Sequence, residues 1–170
     1  MAETLPINLR RDDRRARLVL AVAAVAAFVS MPVWRGGLSG DAIDTYAIEA
    51  EAFDQKIAVM VAAHADGVAI GGGPVVRPPA GDVFMAARQW QFDPVVELEA
   101  GKSYRLHVAA MDVAHGVAVD GREVLLLPGR AAVLELKPQK RGRLEMKCSE
   151  FCGSGHNKMT ATLEVVSPRQ

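Results

Sequence analysis

Cys148-Ser149-Glu150-Phe151-Cys152-Gly153-Ser154-Gly155-His156-Asn157-Lys158-Met159 holds both cysteines of this 170-residue chain, one of its four histidines and a methionine, at the spacing C-x3-C-x3-H-x2-M. Thiolate, imidazole and thioether form the donor set that copper takes in preference to hard, oxygen-seeking cations, and a second imidazole is on hand upstream at His115. One His, one Cys, one His and a weak Met would make a mononuclear electron-transfer site. The second thiolate changes the count. Cys148 and Cys152, four residues apart, can each bridge two coppers, leaving His115 and His156 as terminal ligands and Met159 as a weak one.

Plainer readings compete for the same residues. Two cysteines in an exported domain often form a disulfide, and a C-x3-C bridge closes a loop that a turn can hold. Such a bridge would have no need of His156, Met159 or His115. Zinc accepts two Cys and two His, but its ribbons and fingers use shorter Cys-to-Cys spacing and no thioether. A catalytic cysteine would need an activating base and a pocket, which nothing in the loop announces.

The flanking sequence alternates with period two, the pattern of half-buried strands. Tyr104, Leu106, Val108 and Ala110 share one face, and Arg105, His107 and Ala109 the other, so His107 is expected to face outward. Ala132, Leu134 and Leu136 alternate in the same way, as do Leu144 and Met146, whose parity carries Cys148 inward. Beyond the loop Met159, Ala161, Leu163 and Val165 share a face, so Met159 points inward too. Short strands punctuated by Pro94, Gly101, Gly121, Pro128-Gly129 and Gly142 predict an all-β, Greek-key sandwich or barrel. Asp112, three residues before His115, is placed to fix the tautomer of that imidazole, or simply to cap its loop.

Upstream, Leu18 to Trp34 is seventeen residues without a charge. At 1.5 Å per residue it spans about 25 Å against a hydrocarbon core of about 30 Å, which predicts a short transmembrane helix over 18–34. Arg10, Arg11, Arg14, Arg15 and Arg17 precede it, so a basic segment 1–17 stays in the cytoplasm and the remainder lies outside. A cleaved signal peptide is the competing reading, although Met31-Pro32-Val33-Trp34-Arg35 supplies no small-residue cleavage site. Residues 35–81 read as an acidic, helix-prone segment running into a Gly/Pro linker from Gly67 to Gly81, and 82–170 as the β-domain. His64, at the end of the helix-prone stretch, receives no ligand role. Twenty acidic and twenty basic side chains leave no net charge to suggest a nucleic-acid partner.

Over residues 80 to 167 the chain resembles the CuA-bearing subunit II of haem-copper oxidases of the cytochrome c oxidase type. The resemblance rests on Cys148 to Met159, on Asp112-Val113-Ala114-His115, and on the aromatic segment Gln89-Trp90-Gln91-Phe92. It implies a cupredoxin fold and a dinuclear copper centre: Cys148 and Cys152 bridging, one copper each for His115 and His156, Met159 axial on one, and the backbone carbonyl of Glu150 axial on the other. It further implies that electrons enter at Trp90 from a donor such as cytochrome c and leave for a catalytic haem-copper subunit I, with the Glu150 side chain contributing to a magnesium-linked contact there. The family often has two membrane helices, so this chain is similar to its single-helix variants.

Two departures widen the reading. From Asp82 to Gln170 there are eleven acidic and twelve basic side chains, with Lys137, Lys140, Arg141, Arg143 and Lys147 crowded on one hairpin, which is no acidic dock for a basic cytochrome. Val117 also stands where the family usually has an aromatic. The leading expectation is an electron-accepting subunit of an oxygen-reducing complex in a bacterial inner membrane. A CuA subunit of a nitric oxide reductase is the alternative within the superfamily. From other classes come a copper carrier or chaperone, which would gain nothing from two bridging cysteines, and a C-x3-C redox sensor.

Overall fold

A computed structural model describes the backbone of residues 9–36, 43–70 and 73–169 and the side chains of 14–28, 43–66 and 74–169. The chain divides into two units, Met1–Ala42 and Ile43–Gln170. In the first, helix α1 (Leu9–Gly36) runs through the expected span. Among the described residues no helix is long and apolar enough to cross a membrane. The described side chains begin with Arg14, Arg15 and Arg17 and stop at Phe28; residues 29–34, the Trp34 end of the expected span, lie outside them.

The second unit is mostly β. Its strands are β1 (Asp44–Ala47), β2 (Ala65–Ile70), β3 (Gly73–Val76), β4 (Gly81–Arg88), β5 (Gln91–Asp93), β6 (Val95–Glu99), β7 (Tyr104–Ala110), β8 (His115–Val119), β9 (Arg122–Leu126), β10 (Arg130–Leu136), β11 (Gly142–Lys147) and β12 (Thr160–Val166). They form two sheets, ordered β1-β10-β7-β4-β5 and β2-β3-β6-β12-β11-β8-β9. Most pairs are antiparallel, but β4 lies parallel to β7, and β6 parallel to both β3 and β12. Between the sheets sits the main core, to which strand parity delivers Leu106, Val108, Leu134, Leu136, Met146 and Leu163, all at most 1 % exposed. Burying one such side chain contributes roughly 1.5–3 kcal/mol.

Residues 43–81 correct the expected organisation. Helix α2 (Ala50–His64) forms where alanine richness and a first-turn Glu51 favour it, and it buries Phe53, Ile57 and Met60, spaced i, i+4, i+7 on one face. That face meets Ala86, Ala109 and Ala131 on the outer side of the five-stranded sheet, so the sheet is covered on both sides. Ala109, on the face that alternation assigns to the exterior, is therefore buried. The expected Gly/Pro linker contains the end of β2 and all of β3; Val75 and Val76 pair with Val95 and Val96 and are almost fully enclosed. Glycine and proline weaken strands locally, but here a parallel partner from another part of the chain supplies the ladder. The compact unit accordingly starts at Ile43 rather than Asp82.

Candidate metal centre

The β11–β12 ladder pairs Lys147 with Thr160, and the twelve residues between them leave it as a wide loop. The Cys148 N–H donates to the Met159 carbonyl at 3.0 Å, closing the neck of that loop. A 3-10 turn at His156–Lys158 compacts its second half, with the His156 N–H donating to Gly153 O at 3.1 Å and Lys158 N–H to Gly155 O at 3.0 Å. Cys148, Cys152 and Met159 are all buried, the first and last as the inward parity of β11 and β12 requires.

Inside the loop the soft donor atoms converge. Cys148 Sγ lies 3.7 Å from Cys152 Sγ, and Cys152 Sγ lies 3.7 Å from His156 Nδ1 and 3.6 Å from Met159 Sδ. From the start of β8 comes His115, fully buried, whose Nδ1 is 3.8 Å from Cys148 Sγ. His115, Cys148 and Cys152 present donor atoms all within 4.8 Å of one another. The Glu150 carbonyl lies 3.1 Å from Cys148 Sγ, while its side chain is on the exposed surface. The six residues expected as ligands are thus brought to one pocket from two loops.

His64 and His107 are not part of this gathering. His64 ends α2, its carbonyl taking the Arg77 N–H. His107 does face the outer side of its sheet, but α2 and the Tyr46 side chain cover that side. It is half-buried, with Nδ1 3.0 Å from Tyr46 Oη, Nε2 3.2 Å from Asp82 Oδ1, and its ring tilted over Phe84. Burial holds its pKa below the ordinary histidine value, against the opposing pull of Asp82.

Electrostatics favour a cation. Burial, and then the neighbouring Cys148, push the Cys152 thiol up to about 11. A thiol held this high keeps its proton at neutral pH, so binding a metal through the Cys152 thiolate must release that proton. Free cysteines, both buried and without a disulfide, are what such loading needs. Two imidazoles, two thiols and a thioether suit a soft or borderline transition metal, and copper above others. Asp112 Oδ1 is 2.7 Å from His115 Nε2, which leaves Nδ1 to face the sulfurs. Burial alone would raise the Asp112 carboxyl, but His115 and the backbone N–H groups of Gln89 and Val113 together hold it below the usual range.

Trp90 and Gln89 occupy the two-residue turn joining β4 to β5, whose ladder closes at Arg88 and Gln91. Trp90 is 40 % exposed, and its Nε1–H donates to the Cys152 carbonyl at 3.3 Å. The glycines beneath it explain the fit: a Cβ at Gly155 would sit 2.4 Å from Trp90 Cδ2. Sequence reasoning missed Gln89, whose Nε2–H donates to the same carbonyl at 2.6 Å. It missed Gly116 as well, where a Cβ would meet Ser149 Oγ at 2.2 Å. Neither residue carries a local signal, because each matters through a loop distant in sequence.

The family model for the periplasmic domain of cytochrome c oxidase subunit II matches residues 80–166, which is 87 of 170 residues. Cytochrome c oxidase subunit 2 of Branchiostoma floridae is 35 % identical over 91 residues, covering 52 % of this chain and 40 % of that protein. The Thermus thermophilus subunit 2 is 28 % identical over 86 residues, covering 49 % and 64 %. The chain therefore spans less than two thirds of the length of these relatives. A chain of a heme-copper terminal oxidase dimer solved by cryo-EM has the same fold, with TM-score 0.55 and 24 % identity over 91 % of this chain and 99 % of that one. With its matched half coinciding with the sheets and loops that gather the sulfurs and imidazoles, this chain belongs to the cytochrome c oxidase subunit II family, through that family's periplasmic domain.

Proposed function

We propose that this chain is the electron-accepting subunit of a membrane-bound haem-copper oxidase, holding a dinuclear copper centre on a cupredoxin-like scaffold. The observation that carries the reading is the convergence of two free thiols 3.7 Å apart with His115, His156 and Met159 in a buried loop pocket. In this reading the thiolates of Cys148 and Cys152 and the imidazoles of His115 and His156 would hold the copper pair, with Met159 and the Glu150 carbonyl as weaker ligands. Copper held there would supply one-electron transfer with little reorganisation of its ligands.

The chain's own residues supply the rest. Asp112 holds the His115 ring in one tautomer, and two strand ends and a closed loop neck keep the donors in place without help from solvent. Trp90 offers a partly exposed aromatic edge with a hydrogen bond into Cys152, which makes it the point of electron uptake from a donor such as cytochrome c. The receiver is a catalytic haem-bearing subunit I, with oxygen as terminal acceptor, and the exposed Glu150 carboxylate is available for a magnesium-linked contact there. The basic segment and apolar run of residues 1–34 anchor the chain once in a bacterial inner membrane, with the β-domain on the periplasmic side. Reporters fused before Leu18 and after Gly40 test that orientation: activity of the second inside the cytoplasm refutes it.

Metal analysis with electron paramagnetic resonance on the full chain tests the centre. Two coppers per chain sharing one unpaired electron are expected, and Cys148→Ser should abolish the shared-valence signal. One copper with an ordinary mononuclear spectrum in the unaltered chain would sink the dinuclear reading. Copurification from native membranes with a haem subunit that reduces oxygen is expected for the partner assignment; a haem subunit reducing nitric oxide instead would overturn the acceptor.

A further inference from the structure

We propose that Gln89 is a positioning residue that ties together the two loops of the metal centre and sets the orientation of Cys152. The inference rests on the copper reading above, but its physical basis is visible without metal. Gln89 sits in the β4–β5 turn and touches both loops at once. Its side-chain Nε2–H donates to the Cys152 carbonyl at 2.6 Å, and its backbone N–H donates to Asp112 Oδ2 at 2.7 Å. Asp112 Oδ1 in turn stands 2.7 Å from His115 Nε2. A single residue thus links the loop that carries His115 to the loop that carries Cys152.

The loop is shaped to receive it. Gly153 has φ +121°, a conformation that favours glycine, and a Cβ there would lie 3.0 Å from Gln89 Nε2 and 3.2 Å from Trp90 Nε1. The Cys152 carbonyl accepts from both Gln89 and Trp90, and the Gln89 bond is the shorter by far. Without it the peptide is held only by the 3.3 Å contact to Trp90 and is free to swing. Cys152 Sγ moves with that peptide, and Cys148, His156 and Met159 all take their spacing from this sulfur, at 3.7, 3.7 and 3.6 Å. The link to Asp112 runs through the backbone and survives any non-proline substitution, so side-chain variants isolate the Cys152 bond.

The experiment compares the full-length chain with Gln89→Met, which keeps length but has no donor, and Gln89→Glu, nearly isosteric but presenting a carboxylate to a carbonyl. In metal-free protein, alkylation of the two thiols should accelerate about two- to tenfold in both variants, the change expected when local opening loses one buried hydrogen bond. In copper-loaded protein, the absorption bands and reduction potential should shift in both, by at least as much in Gln89→Glu as in Gln89→Met. Restoration of wild-type behaviour by Glu would reduce Gln89 to a packing residue and overturn the proposal, as would unchanged alkylation, spectrum and potential in both variants. A wild-type chain that takes up no copper would defeat the electron-transfer reading instead, and the alkylation rates would still decide the role of Gln89.

Discussion

Replacing Gly116 by Ala puts one methyl group where the molecule has no room. Gly116 follows His115 in β8 and lies beneath the first turn of the cysteine loop. A Cβ there would sit 2.2 Å from Ser149 Oγ, 2.9 Å from the Glu150 backbone nitrogen and 3.0 Å from Glu150 Cγ. The hydroxyl and the flexible Glu150 side chain can turn away, but the backbone nitrogen cannot, so the loop itself has to lift. Overpacking of this kind costs about 1–3 kcal/mol, and contact with backbone argues for ~2. For a unit of this size, Ile43–Gln170, that corresponds to a fall in melting temperature of about 8 °C. Lifting Glu150 also moves the carbonyl that stands 3.1 Å from Cys148 Sγ, so the copper absorption spectrum should change along with stability. Ser149 Oγ is buried without a hydrogen-bond partner, so Ser149→Ala alone should be neutral or slightly stabilising. Combined with Gly116→Ala it should recover only a small part of the loss, because the hydroxyl can already turn away and the clash with the Glu150 backbone nitrogen remains. Thermal unfolding of the four proteins in the cycle, followed by copper titration, measures all of this. A Gly116→Ala protein that melts and binds copper like the wild type, or a double variant restored to wild-type stability, would refute the argument from the backbone clash.

Three histidine substitutions should separate cleanly. His115→Ala should weaken copper retention by at least ~10 to 100-fold, the loss typical of disturbing even an outer contact of a metal site, while His64→Ala and His107→Ala should leave the optical spectrum unchanged; an unaltered spectrum in His115→Ala would remove it from the ligand set. The half-buried His107 predicts a pH dependence. Its folded pKa lies below the unfolded value of about 6.5, so the unfolded chain binds the extra proton first. Stability is therefore complete above about pH 6.5 and falls as the pH drops through that value. Melting curves of metal-free protein between about pH 7.5 and 5.5 should show the decline, and His107→Gln should flatten it; an equal slope in both would assign the effect elsewhere. Asp82, held down first by its bond to Arg105, produces its own loss only in the more acidic window below the ordinary carboxylate value.

Much of the centre was legible because its information is local or periodic. Twelve consecutive residues carry four donor side chains, and the parity of β11 and β12 turns Cys148 and Met159 inward. His115 could be chosen over His107 by its place at a strand end. What escaped depends on partners far away in sequence. Val75 and Val76 read as linker because half of their strand's pairing comes from a distant parallel partner, Val95 and Val96, which no local pattern announces. Ala109 read as exterior because alternation reports two faces of a strand, not what lies against the second one. Gln89 is indistinguishable from any polar turn residue until the cysteine loop folds down upon it.

The cover that α2 lays over the five-stranded sheet, together with the edge strand β1 beside β10, bears on how this domain survives alone. β1 pairs with β10 along Asp44–Ala47, and Phe53 and Ile57 shield Ala86, Ala109 and Ala131. A fragment trimmed to begin at Asp82 would strip both protections together, leaving β10 with an open row of backbone donors and acceptors beside a smooth apolar sheet face. That combination is a template for strand-to-strand self-association. Sedimentation should find the trimmed fragment oligomeric or insoluble and the chain from Ile43 monodisperse. Seen this way, residues 43–81 keep neighbouring copies from adding themselves to the open edge of the five-stranded sheet.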